Sequence, residues 1–108
     1  MVTRRYSLMK DTGLSLSTLN ILVEAFSKYP EIETAILYGS RAKGNYTSRS
    51  DIDLVVKGVI SRHIISKITL DLEDSDILYS VDLQSYNELI NRELIDHIDR
   101  VGIVIYKK

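Results

Sequence analysis

The chain has 108 residues, 44% of them from the set AVILMFWYC and 27% charged, the make-up of one small globular domain rather than a disordered or fibrous chain. Fourteen Lys and Arg against fifteen Asp and Glu leave a net charge of −1, which argues against a dedicated duplex-binding module but not against a nucleotide, which a few cations and a metal can hold. Cysteine is absent, which removes disulfides, thiolate zinc sites and cysteine nucleophiles, and with no signal peptide or membrane-length apolar run in view a soluble cytoplasmic protein is expected.

Residues 1–14 are polar, contain Gly13, and are expected to form a flexible leader. Residues 15–29 predict a helix capped by Ser15 or Ser17, with Leu16, Leu19, Leu22, Val23 and Phe26 as its apolar stripe and Pro30 as its stop. Thr34 to Tyr38 is a β-branched and aromatic run, hence a strand, and it ends at Gly39-Ser40. Residues 40–50 predict a short helical turn and then a loop around Gly44, and residues 51–57 a half-buried strand. Ile64, Ile65, Ile68 and Leu72 mark a second helix over 61–73, followed by the solvated acids Glu73, Asp74 and Asp76. Residues 77–83 predict a third strand, Leu89, Ile90, Leu94, Ile95 and Ile98 a third helix, and 103–106 a last strand after Gly102. The order is that of an α/β (α+β) fold with one mixed sheet of about four to five strands.

The stretch from Gly39 to Asp53 carries the chemistry. Asp51 and Asp53 are two apart on a predicted strand, so both carboxylates face one side while Ile52 and Leu54 face the core. Paired carboxylates repel unless a cation lies between them. Mg²⁺ prefers such hard oxygen ligands and completes its shell with water and substrate phosphates, so the pair is a candidate Mg²⁺ site for a phosphate-bearing substrate. Two exposed acids on a sheet edge are the plain alternative. Gly39 permits close approach of a ligand to the backbone, N–H groups opening a helix bind phosphate oxygens, and Ser40 adds a hydroxyl. Arg41, Lys43 and Arg49 lie in the same segment.

Gly39-Ser40, ten residues, then Asp51-x-Asp53 resembles the signature of the nucleotidyltransferase superfamily related to DNA polymerase β. The longer string ILYGSRAKGNYTSRSDIDLVV is similar to the minimal nucleotidyltransferases, small prokaryotic proteins made of the catalytic domain alone. The likeness extends over residues 13 to 106, taking in the YSVDL and RVGIVIY segments. It implies that residues 1–108 form a single catalytic domain. It also implies a third carboxylate on a later strand, matched here by Asp82, whose plain alternative is a cap for the following helix.

The activity implied by the resemblance is transfer of a nucleoside monophosphate from a triphosphate, ATP by family weight, to a hydroxyl, with release of pyrophosphate. Asp51, Asp53 and Asp82 would hold two Mg²⁺ ions, Asp82 would serve as general base, and Gly39 and Ser40 would hold the β- and γ-phosphates. Arg41 or Lys43 would neutralise the triphosphate, with a structural pairing of Arg41 to an acid as the alternative. His63 and His97 are expected to be ordinary surface or packed helix residues, Arg49 a solvated one, and Tyr38 and Tyr46 either packing residues or contacts to a base or partner. The implied partner is a small helical HEPN-type toxin, modified on a tyrosine by this chain as its antitoxin. The alternatives are transfer to a small molecule or RNA, the former through a pocket between two subunits of a homo-oligomer, and a non-catalytic antitoxin that acts by docking. Neither a membrane nor nucleic acid is expected as a partner.

Overall fold

In the computed structural model, which describes residues 11–108, the hydroxyl of Ser15 accepts the N–H of Thr18 and opens helix α1, Leu16–Ser27. Strand β1, Ile32–Tyr38, runs directly into the short helix α2, Gly39–Lys43. Strand β2, Ile52–Gly58, is followed by helix α3, Arg62–Glu73, capped by Ser61. Strand β3, Val81–Ser85, leads through a 3₁₀ turn, Tyr86–Glu88, into helix α4, Arg92–Val101, and strand β4, Ile103–Lys107, closes the fold. Of the leader expected over residues 1–14, residues 1–10 lie outside the described residues. Thr12 is buried, so the end of that segment is anchored.

The four strands form one mixed sheet in the order β3-β2-β1-β4. β1 is antiparallel to both β2 and β4, and β2 is parallel to β3, with α3 as the crossover. One face carries Ala35, Leu37, Ile52, Leu54, Val56, Leu83 and Ile105, packed against Leu19, Leu22 and Phe26 of α1 and Ile68 and Leu72 of α3. The other face carries Ile36, Tyr38 and Val55 under Ile98 of α4. β2 is thus covered on both sides along Leu54, Val55 and Val56, which explains why its alternation gives way to a continuous apolar run.

The largest shifts from the predicted bounds are in two elements. The third strand begins at Val81 rather than residue 77, because β2 offers no partner before Ile52, which pairs with Val81. Its far end extends to Ser85, opposite Val56. Ile77 and Tyr79 still pack against the core from an irregular segment. The third helix begins only at Arg92, where the side chain of Asn91 accepts the N–H of Leu94. Leu89 and Ile90 precede it, and Ile90 is 93% exposed. Among the described residues no helix is long and apolar enough to cross a membrane.

Candidate active site

The register of the sheet assembles the site. Tyr38 at the end of β1 pairs with Asp53 of β2, and Asp53 pairs with Asp82 of β3. Side chains at paired positions share a face, so Tyr38, Asp53 and Asp82 form a row across three strands. Asp51 lies two residues before Asp53, just outside the ladder, and is exposed. Asp53 is half-buried and Asp82 is exposed.

These acids act on one another. Burial pushes the Asp53 carboxyl above its ordinary value of 3.8, and the charges of Asp82 and Asp51 push it further the same way. Burial also raises the Tyr38 phenol, and with the charges of Asp82 and Asp53 brings it to about 12, so the hydroxyl stays neutral beside the carboxylates. Gln84, two residues along β3, donates from Nε2 to the Tyr38 hydroxyl at 3.2 Å and to Asp82 Oδ2 at 3.4 Å. Gln84 thereby links both groups, and no motif in the sequence marks it.

Gly39 closes the site from the side of β1. Its φ is +76°, and a Cβ there would run into the carboxylate of Asp53. The glycine is therefore required twice, by its backbone conformation and by the approach of the acid. Ser40 follows in the first turn of α2 and is half-buried. The Gly39 N–H donates to Nε2 of His97 on α4 at 3.0 Å, and the His97 ring stands edge-on to Tyr38 with centroids 6.2 Å apart. Burial lowers the imidazole's pKa, and the nearby cations Lys43 and Arg100 lower it further. His97 is thus the packed helix residue expected, and its ring in addition reaches the Gly39 turn beside the carboxylate row. Nothing local in the sequence could reveal this, since its partner is 58 residues away.

The guanidinium of Arg41, expected either at the triphosphate or paired with an acid, is engaged elsewhere. Arg41 is 1% exposed. Nη1 donates to the carbonyl of Thr12 at 2.8 Å, and Nη2 and Nε donate to the carbonyl of Ser50 at 2.9 and 3.3 Å. The rings of Tyr79 and Tyr46 lie at 4.4 and 5.2 Å. Lys43 and Arg49 are exposed, and of the two Lys43 lies near His97.

Among the described residues no three His, Asp or Glu side chains converge into a ready-made metal cage. What the fold offers is an open row of carboxylates whose charges work against each other. That donor set suits Mg²⁺, which takes one or two carboxylates and draws its remaining ligands from water and substrate phosphates.

The family model described as polymerase beta, nucleotidyltransferase matches residues 20–108. No curated protein matches the sequence. Among solved structures, a toxin–antitoxin with AMP-PNP is similar at a TM-score of 0.62 and 18% identity, covering 83% of this chain and 73% of that one. A tri-AMPylated HEPN toxin of Shewanella oneidensis in complex with MNT antitoxin gives 0.62 and 17%, covering 83% and 70%. The toxin–antitoxin MntA-HepT gives 0.58 and 16%, covering 87% and 74%. At these identities the likeness is one of fold.

Proposed function

The chain belongs to the polymerase β nucleotidyltransferase family, and from that premise we propose that it transfers AMP from ATP to a tyrosine hydroxyl of a small helical HEPN-type toxin, acting in the cytoplasm as that toxin's antitoxin. The observation that carries the reading is the register placing Asp53 beside Asp82, with Gly39 against the same carboxylate. The fold shared with toxin–antitoxin structures, one holding AMP-PNP and one an AMPylated toxin, supports the choice of nucleotide and acceptor.

Each residue has a defined task. Ser40, through its hydroxyl and backbone N–H, holds the β- and γ-phosphates where Gly39 lets them approach, and Lys43 adds a cation on that side. Asp51, Asp53 and Asp82 would hold two Mg²⁺ ions, which would supply charge neutralisation for the triphosphate and the leaving oxygen. The acceptor hydroxyl oxygen bonds to the α-phosphorus while the bond from that phosphorus to the β-bridging oxygen breaks. Pyrophosphate leaves, and Asp82 takes the hydroxyl proton. Tyr38 stays neutral throughout, so it adds no repulsion toward the triphosphate.

The test incubates the protein with Mg²⁺ and α-labelled ATP, with and without the product of the neighbouring gene. Label on a tyrosine of that protein, lost in an Asp51→Ala/Asp53→Ala double variant by at least about a thousandfold, is the expected result. Label on a small molecule or RNA instead reassigns the acceptor. Tight binding and toxin neutralisation with no label in either protein replaces transfer by docking.

A further inference from the structure

Helix α2 differs from the other described α-helices at its N-terminus. α1, α3 and α4 open on Ser15, Ser61 and Asn91, whose side chains accept an N–H of their own first turn. α2 opens on Tyr38, which supplies no such bond. The first N–H groups of a helix lack intrahelical acceptors, and one left unbonded away from water costs free energy. Here the missing acceptor comes from another element: Nε2 of His97, on α4, takes the Gly39 N–H at 3.0 Å.

The bond has consequences for the site. An imidazole nitrogen that accepts must be unprotonated, so the ring is neutral with its proton on Nδ1. Burial and the cations Lys43 and Arg100 favour that state. The ring is also held against Tyr38, itself in the row with Asp53 and Asp82. The imidazole thus ties α4 to the glycine whose backbone approaches Asp53.

We propose that His97 is a positioning residue for the nucleotide, a cap supplied from α4 that holds the Gly39-Ser40 turn at a fixed distance from the carboxylate row. The inference rests on the nucleotidyl-transfer reading for the identity of the ligand, but not for the existence of the clamp. His97 touches neither phosphate nor acceptor in this role. It sets where Ser40 and the following N–H groups stand when the triphosphate arrives.

Two substitutions separate the acceptor from the shape. His97→Leu keeps the bulk and removes the acceptor, while His97→Gln places a carboxamide oxygen near the position of Nε2. Three readouts are taken on the full chain: exchange of the Gly39 amide proton by NMR, calorimetric binding of Mg²⁺ with a non-hydrolysable ATP analogue, and steady-state transfer. In His97→Leu, the Gly39 amide exchanges about tenfold faster and the analogue binds about five- to tenfold more weakly, the size of one lost hydrogen bond. The KM for ATP rises in step while kcat stays within about twofold, as removal of ground-state binding requires. His97→Gln restores all of these, and the melting temperature does not track the series. A Gly39 amide unaffected by His97→Leu overturns the inference, as does equal weakening by Leu and Gln. Absent transfer in the wild type, with analogue binding that still follows the series, overturns the transfer reading and leaves the clamp standing. Absence of both transfer and analogue binding overturns the reading and the positioning role together.

Discussion

Arg41 is 1% exposed, and its partners are the carbonyls of Thr12 and Ser50 and the rings of Tyr46 and Tyr79 rather than a carboxylate. A buried charge survives only where its donors are matched, and the planar fork of arginine reaches both carbonyls at once. Lysine keeps the charge but loses that geometry. Arg41→Lys is therefore expected to destabilise the fold by about 2–3 kcal/mol, read as a lower midpoint in urea unfolding at unchanged slope. The sequence shows why Arg41 was a natural candidate for phosphate: it directly follows Gly39-Ser40. What it hides is the direction of the side chain, which depends on Thr12 and Tyr79, far away in the chain. The contact of His97 with Gly39 is hidden for the same reason, whereas Gly39, Asp51 and Asp53 stand in one short segment whose spacing can be read directly.

At the scale of elements, the parallel ladder between β2 and β3 sets Asp53 next to Asp82, and the fold bears that repulsion. The native Asp53 carboxyl titrates above its ordinary 3.8, so between the two values the folded protein holds a proton that the unfolded chain has released. Its contribution to stability therefore falls as pH rises through that interval and stays lost above it. Asp53→Asn removes the repulsion, and is expected to raise the melting temperature of the metal-free protein at pH 7, with the gain shrinking as pH falls through that interval and gone below 3.8. Added Mg²⁺ narrows the gap from the other side by stabilising the wild type. The position of this ladder was only partly legible. The apolar pattern of residues 77–83 identifies strand-forming sequence, but a strand forms only where its neighbour has a free edge, and β2 provides one from Ile52 onward. The start of α4 was obscured likewise: Leu89 and Ile90 fit the helical spacing, but the cap lies at Asn91. The element order and the single mixed sheet were legible, because each stripe and β-branched run is long enough to declare its period.

At the scale of the whole molecule, the sheet is covered on one face by α1 and α3 and on the other by α4, and the carboxylate row lies where β1, β2 and β3 meet the start of α2. Around that start, Arg41 holds three stretches distant in sequence: Thr12 before α1, the loop ending at Ser50, and Tyr79 before β3. Asp11 reinforces the bundle, accepting from Tyr46 Oη at 2.9 Å and from the Gly13 N–H at 3.0 Å. None of these stretches is regular structure, and independently each would fray at its own low free energy. Bound to one cation, they share a single opening event. The amides of Gly13, Thr47 and Ser50 are therefore expected to exchange with a common opening free energy in the wild type, and to separate into independent, lower values in Arg41→Lys. If the loop that precedes Asp51 opens only together with the segment before α1, the acid it delivers is in place before any ligand arrives.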